Sequence, residues 1–345
     1  MTLMTPLSPS NTHAAASAGV QLHSSNPQLD ALLYKAGIAP LDQAGWIRVT
    51  GSDRVRWLNG MVTNSVQLEE GAGAYNFFLN AQGRIQADGN IFAAADELLI
   101  ETGRSQVAKL IPYLDHYIIM DDVELADMTD SRHGLILIGP QAASLLAQLG
   151  VTANDLSPLK MRASQWNSTI VTLLHAHSPL VPRYELWTDS ADAARELHTA
   201  LEDAGATPCE SAALDALRLL EGTPLYAVDI RDRDLPQETN QTRALHFNKG
   251  CYLGQEIVER IRSRGSVHRT FTAFRLEGAL PPSGSVLESA GKQVGELTSV
   301  AAIPINGLQL ALGYLRREAL ERREPLQYPG GSAYPVASPL LSHGD

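Results

Sequence analysis

Phe247-Asn248-Lys249-Gly250-Cys251-Tyr252-Leu253-Gly254-Gln255-Glu256 is the stretch that says most about this chain. Two glycines bracket a Cys-Tyr pair, and Ile257, Val258 and Ile261 then fall at helical spacing. The pattern predicts a glycine-bounded turn followed by a helix, with Glu256 and Arg260 as an i,i+4 pair. Cys251 would then precede a helix N-terminus and stand two residues from Lys249, and both favour a thiolate. Two readings of Cys251 stay open. One is a reactive or redox-sensitive thiol, or a single weak metal ligand. The other is a small buried cysteine with an inert thiol.

Working outward, Lys249, Arg260, Arg262, Arg264, Arg269 and Arg275 outnumber Glu256 and Glu259, so this region is basic in a chain of net charge -11. The arginines either take an anion, such as carboxylates or an RNA phosphate backbone, or pair with acids elsewhere in the protein. Upstream, Arg218 lies among Leu217, Leu219 and Leu220 in a helical stretch closed by Gly222. Its guanidinium must grip a ligand, tie down a loop or reach water.

Residues 45–50 predict a strand, and Ser52 an N-cap for a short helix carrying Val55, Trp57 and Leu58. Residues 75–79 and 84–88, joined by Asn80-Ala81-Gln82-Gly83, predict a hairpin. Ser105 is expected to cap a helix with Val107, Leu110 and Leu114 on one face. Strands at 134–138, 169–174 and 184–187 alternate with a helix at 141–149 and helices capped by Ser190 and Ser211. This mixture predicts α+β layers. From about 265 the texture changes to short strands, at 270–276, 285–287, 294–300 and 310–314, separated by Gly and Pro. They predict a small sandwich or barrel. The expected divisions are an arm at 1–29, an N-terminal lobe at 30–130 with part of 223–264 packed on it, a second lobe at 131–222, a connecting segment at 223–268 and a C-terminal barrel at 269–345.

A chain of 345 residues exceeds a single core. At 44% hydrophobic and 19% charged it has a foldable composition. The negative total argues against a general nucleic-acid coat or a membrane-surface binder. Two cysteines build neither a disulfide framework nor a four-thiolate metal site; no metal site is expected, and a reducing, cytoplasmic compartment fits. No apolar run approaches the roughly 20 residues of a membrane span. The first basic residue is Lys35, so no signal or presequence is expected, and 1–29 reads as a loosely attached arm. Walker, dinucleotide, HExxH and GxSxG motifs are absent from the sequence.

Lys249-Gly250-Cys251-Tyr252-Leu253-Gly254-Gln255-Glu256 resembles the K-G-C-Y-x-G-Q-E motif of the YgfZ family of folate-binding proteins, relatives of the glycine-cleavage T-protein, an aminomethyltransferase. The resemblance spans about 38–340. Val49-Thr50-Gly51-Ser52-Asp53 with Trp57-Leu58-Asn59-Gly60-Met61-Val62-Thr63-Asn64 is similar to the family's G-x-D…F-L-Q-G-x-x-T-N, and Asn80-Ala81-Gln82-Gly83-Arg84 to its G-[KR] hairpin. Residues 217–230 resemble L-R-L-E-A-G-x-P-x-Y-G-x-D. Pro236-Gln237-Glu238 matches P-Q-E, and Val294-Gly295-Glu296-Leu297-Thr298-Ser299 resembles V-G-x-[VL]-T-S. Departures are Leu220 at the motif glutamate, with Glu221 one place later, and Ala227 at a motif glycine. Ala176-His177-Ser178-Pro179-Leu180-Val181-Pro182 stands where the T-protein has R-T-G-Y-T-G-E-D-G.

The resemblance implies an α+β, three-lobed T-protein-like fold around a central folate channel, with a small C-terminal β-barrel. It implies a tetrahydrofolate-binding accessory protein for assembly or repair of iron–sulfur proteins. Cys251 and Lys249 are then the functional pair; Arg218, Glu185, Tyr252, Gln255, Glu256 and Arg260 are the expected cofactor-binding residues. Glu185 suits the N–H donors of a pterin, and arginines suit the anionic glutamate tail. Expected partners are folate (tetrahydrofolate or a derivative) and, transiently, iron–sulfur client or assembly proteins. A cytoplasmic monomer without membrane or nucleic-acid partners is expected. The alternatives are a folate-dependent aminomethyltransferase or demethylase, whose catalytic aspartate no motif locates, and an RNA-binding module using the basic stretch from Arg260 to Arg275.

Overall fold

The computed structural model describes residues 26–305 and 307–340. Most of the expected arm, 1–25, lies outside the described residues. Its last residues do not behave as an arm. Asn26 caps helix α1 (Pro27–Tyr34), its side-chain oxygen accepting from the backbone N of Gln28 and Leu29 at 2.9 and 3.1 Å. Leu29 is fully buried. The polar composition upstream masked this capped, Leu-rich turn.

Strands β1 (Gly37–Pro40) and β2 (Ala44–Thr50) follow, then α2 (Arg54–Asn59), β3 (Gly73–Leu79), β4 (Ile85–Ala93), β5 (Leu98–Gly103), α3 (Arg104–Asp115) and β6 (Glu124–Asp127). The next block is β7 (His133–Ile138), α4 (Ala142–Gln148), β8 (Lys160–Trp166), β9 (Thr169–Ala176), β10 (Arg183–Thr188), α5 (Ala191–Asp203), β11 (Thr207–Pro208) and α6 (Ser211–Glu221). A connecting segment leads to α7 (Gln255–Arg264). The chain ends with β12 (Arg269–Gly278), β13 (Val286–Ser289), β14 (Lys292–Val300), β15 (Gln309–Arg316), α8 (Arg317–Glu321), β16 (Leu326–Tyr328) and β17 (Gly331–Val336).

These make a five-stranded sheet, β3-β4-β5-β2-β6, a six-stranded sheet, β11-β1-β7-β10-β9-β8, and a closed barrel, β12-β15-β14-β13-β16-β17. Strand β1 belongs to the second sheet and not to the lobe expected at 30–130: it pairs antiparallel with β7 and parallel with β11. Ile38 is buried there with Leu135 and Leu137, contacts about a hundred residues away that no local pattern announces. Ser52, Ser105 and Ser211 do not cap as expected. Asp53, Gly103 and Glu210 stand at those N-cap positions. Distant partners take over: Arg104 N donates to Gln43 O at 2.7 Å, and Glu210 N to Gln28 Oε1 at 3.0 Å. Ser190 does cap α5, accepting from Ala193 N.

Alternation along the first sheet decides where the site lies. One face, with Ile47, Phe78, Ala87, Ile91 and Ile100, packs on α2 and α3. On the other face Tyr75, Asn90, Glu101 and Trp46 form one cross-strand row. The connecting segment covers that face at β3, where Ile230, Ala244 and Tyr252 cluster with Tyr75 and Phe77. The second sheet covers it at β2, where Leu174, Ala176 and Trp187 meet Trp46, Phe92 and Leu99. Between these apolar patches the face carries Asp88, Asn90 and Glu101. The barrel docks on α6 and α1 through Phe271, Leu312, Tyr314, Leu217 and Leu32. Among the described residues no helix is long and apolar enough to cross a membrane.

Candidate functional site: a polar cleft between the lobes

Strand β10 turns Arg183, Glu185 and Trp187 toward the polar strip of the first sheet. Glu185 is 2% exposed. Its Oε1 accepts from Arg183 Nε and Nη2 at 3.3 and 3.2 Å, and its Oε2 from Trp187 Nε1 at 3.1 Å. Glu101, across the sheet interface, accepts from Asn90 Nδ2 at 3.0 Å and hydrogen-bonds Glu185. Burial, reinforced by the Glu185 charge, pushes the Glu101 carboxyl well above the usual carboxylate range. Burial therefore favours the neutral form of Glu101. Asn90 Oδ1 is buried without a donor.

A group whose pKa is raised on folding makes stability fall as pH climbs from its unfolded value toward its folded one. Glu101→Gln keeps a neutral donor toward Glu185 and removes that titration. The thermal midpoint of the variant is expected to exceed that of the parent near neutral pH and to decline less between about pH 5 and pH 8. Parallel pH profiles would refute the raised pKa.

Beside this pair Asp88 accepts from Tyr75 Oη at 2.7 Å and from Gln106 Nε2 at 2.9 Å. Burial raises its pKa against those bonds and the Arg243 charge. The Arg243 guanidinium lies 4.0 Å over the Tyr75 ring. At the mouth, a cavity of about 180 Å³ is lined by His177, Glu221, Thr223, Gln241 and Arg243. Partial burial, with the Arg243 and Arg183 charges, pulls His177 down to about 4, so its ring is neutral at physiological pH. Burial raises Glu221, which accepts from Ser178 Oγ. The cleft thus offers carboxyl and amide acceptors at its floor and guanidiniums along its wall.

Of the residues singled out from the sequence, Glu185 stands in this cleft; the others are placed elsewhere. Arg218 reaches Asp215 with Nε at 2.8 Å, Thr223 O and Asp229 Oδ2 with Nη1 at 2.9 and 2.7 Å, and Ser299 Oγ with Nη2 at 2.9 Å. Its planar fork is filled by the junction of α6, the connecting segment and the barrel. Lys249 Nζ donates to the carbonyls of Asn59, Val62 and Asn64, each at 2.7 Å. That set closes the C-terminus of α2 and leaves no donor for Cys251. Burial lowers Lys249 to about 7. Tyr252 is core, and Gln255 Oε1 accepts from Tyr252 N at 3.2 Å. Glu256 and Arg260 pair at 3.1 Å on the outer surface of α7, with side chains 85% and 63% exposed. Cys251 is exposed, three residues before the Gly254 N-cap of that helix.

The two glycines around Cys251 differ. Gly254 has φ +82°, and a Cβ there would lie 2.6 Å from Asn80 O, in the turn of the first hairpin. Gly250 has no heavy atom within 4 Å of such a Cβ. Gly254→Ala is expected to cost about 1–3 kcal/mol in urea unfolding, and Gly250→Ala to stay within about 0.5 kcal/mol of the parent. Equal effects would mean that α7 is not seated on that turn.

Residues 23–249 match the family model of the GCVT N-terminal domain, two thirds of the chain. The chain belongs to the GCVT family. Residues 269–339 match the CAF17 C-terminal beta-barrel domain, where the closed barrel lies. The chain is 25% identical to an aminomethyltransferase of Bacillus licheniformis over 314 residues, covering 87% of this chain and 84% of that one. It is 25% identical to an aminomethyltransferase of Nostoc over 335 residues, covering 92% and 87%. Its fold superposes on the crystal structure of the glycine cleavage system aminomethyltransferase T from Bartonella henselae with a TM-score of 0.81, at 20% identity and 91% and 88% coverage.

In this GCVT-family chain the sequence motifs are mostly joints between lobes. Thr63 Oγ1 donates to Ala244 O, and Asn64 Nδ2 to Arg243 O, wiring the Thr-Asn motif to the connecting segment. Glu238 and Asp234 hold Arg269 at the start of the barrel. Ala227, where the family motif has glycine, adopts φ +67°. Glu221, one place beyond the motif glutamate, reaches the cleft. Much of the basic stretch is paired within the protein: Arg262 with Glu259, Arg269 with Asp234, Glu238 and Glu296, and Arg275 with Glu277. The residues missed by sequence reasoning are Tyr75, Asp88, Asn90, Glu101, Glu221 and Arg243. Their one signal is that Asp88 and Asn90 alternate with apolar residues on β4, a pattern equally expected of a solvent-facing strand.

Proposed function

We propose that this GCVT-family protein binds tetrahydrofolate in the polar cleft and serves the assembly or repair of iron–sulfur proteins. The acceptor-rich floor carries the reading. Glu185, with Asn90 Oδ1 buried and unmatched beside it, suits the N–H donors of an amino-pyrimidine ring. Arg243 and Arg183 suit the anionic end of the same ligand, and neutral His177 adds no competing charge at the mouth. Tetrahydrofolate, when bound, supplies a nitrogen that carries one-carbon units. Glu185 orients the ring, Glu101 hydrogen-bonds Glu185 from the opposite sheet, and the covering lobes exclude water. The iron–sulfur part is supported by the resemblance at 249–256 and by the exposed Cys251 within it. Asp88 favours a second reading, one-carbon transfer of the aminomethyltransferase type. It is a buried carboxyl with a raised pKa, held by Tyr75 and Gln106 in the same cleft.

The test is an anaerobic calorimetric titration with tetrahydrofolate. Saturable binding is expected, weakened at least roughly tenfold in Glu185→Gln through loss of a charged acceptor. No heat with the parent protein overturns the folate reading. Turnover of a lipoyl-bound aminomethyl group, lost in Asp88→Asn, would favour transfer over an accessory role.

A further inference from the structure

The loop 116–123 joins α3 to β6. It carries the two most exposed large apolar side chains among the described residues, Ile119 at 84% and Met120 at 93%. The chain is pinned on both sides of this pair. Before it, Tyr117 and Ile118 pack on the apolar core under α2. Tyr117 O accepts from Trp57 Nε1 at 3.2 Å, and Ile118 N donates to Asp115 O at 3.0 Å. After it, Asp122 N donates to Asp53 Oδ2 at 3.0 Å. Asp53 N and Ser52 N donate back to Asp122 O and Oδ2 at 3.2 and 2.9 Å. Arg56 holds Asp121 at 2.6 Å. Gly51 has φ +100°, and a Cβ there would collide with Asp122 O. The Gly51-Ser52-Asp53 motif, which the folate cleft does not use, is thus the clamp of this loop.

We propose that the Ile119–Met120 tip anchors a protein interface whose partner offers an apolar socket rimmed by lysines or arginines. Two neighbouring apolar side chains held out in water gain free energy only when something covers them. Charge says what kind of surface does so. Between Leu110 and Ser131 the chain has Asp115, Asp121, Asp122, Glu124, Asp127 and Asp130, and no lysine or arginine. Arg56, paired with Asp53 and Asp121, and Arg104, paired with Asp130, offset part of that charge. Backbone N–H bonds hold the Asp53 and Asp122 carboxyls below the usual carboxylate range, so both stay ionised. An apolar anchor inside a charged rim is the anatomy of a protein interface, and an acidic rim steers a basic partner. The same charges repel an anionic lipid surface and the same tip of a second copy. The loop is ordered before docking, so little conformational freedom is lost on binding. The tip shares no residue with the folate cleft, so the two readings stand or fall separately.

The photoprobe p-benzoylphenylalanine replaces Met120 in the full-length chain, which is expressed in its source cells and irradiated. A discrete protein adduct is expected. It should be absent when the photoprobe replaces Ile170, an apolar side chain 65% exposed on β9 of the other sheet. The captured protein, once purified, should bind the parent chain saturably in calorimetry. Its affinity should fall at least roughly tenfold for the double variant Ile119→Ser, Met120→Ser. It should fall severalfold for Asp115→Lys, and that loss should close as salt is raised. The thermal midpoints of both variants should match the parent's, since the replaced side chains face solvent. An adduct equally formed from position 170, an adduct between two copies of this chain, a lipid adduct or no adduct at all overturns the proposal. So does a captured protein that binds the folded double variant as tightly as the parent.

Discussion

Asp229→Ala is expected to lower stability by about 3–5 kcal/mol, the cost of breaking a buried ion pair from one side. Asp229 is fully buried and lies on no helix or strand. Its Oδ2 accepts from Arg218 Nη1 at 2.7 Å and from Leu225 N at 2.9 Å; its Oδ1 accepts from Ser299 Oγ at 2.8 Å and from Thr298 Oγ1. One carboxylate therefore joins α6, the connecting segment and the barrel strand β14. Its removal leaves Arg218 with Asp215, half-exposed, as its one carboxylate partner, and takes the acceptor from the Leu225 N–H and the Ser299 hydroxyl in a closed junction. Urea unfolding of the full chain measures the loss. The double variant Arg218→Met, Asp229→Leu should recover a substantial part of it, because an apolar pair leaves no buried charge behind. A loss below about 1 kcal/mol for Asp229→Ala would show that solvent reaches the junction.

Lys249→Met ranks next, with an expected loss of about 3 kcal/mol. Three carbonyls converge on the ammonium, and Met fills the stem volume while leaving all three without that donor. Lys249→Arg should not rescue, since a planar fork cannot meet three carbonyls arranged around a point charge. The rate at which a thiol reagent modifies Cys251 under native conditions is expected to be little changed in Lys249→Met, because the ammonium is already committed to the α2 loop. A tenfold fall in that rate would restore the Lys249–Cys251 pairing.

These variants concern residues that stood out in the sequence, and the structure shows them bonded within the protein. Arg218, Asp229, Thr298 and Ser299 come from two motifs 80 residues apart that meet in one junction. Motif glycines such as Gly254 mark where one lobe's turn seats another lobe's helix. A three-lobed chain must fix its lobes with directional polar contacts, and these tolerate few residue types.

The amino-acid order alone determined the α+β lobes, the change to short barrel strands after about 265, the hairpin around Asn80 and the helix behind Gly254. Each follows from local periodicity, turn chemistry or capping, which act over a few residues. Glu185 was also legible, through the family resemblance. Tertiary structure decided the rest. It moved β1 into the second sheet, committed Lys249 and Arg218 to backbone and junction, and brought Tyr75, Asp88, Asn90, Glu101, Glu221 and Arg243 to one cleft. These side chains come from β3, β4, β5, α6 and the connecting segment, and burial gives them their shifted pKa values. Burial and the company of distant charges exist only once the lobes close, so no local pattern in the sequence carries them.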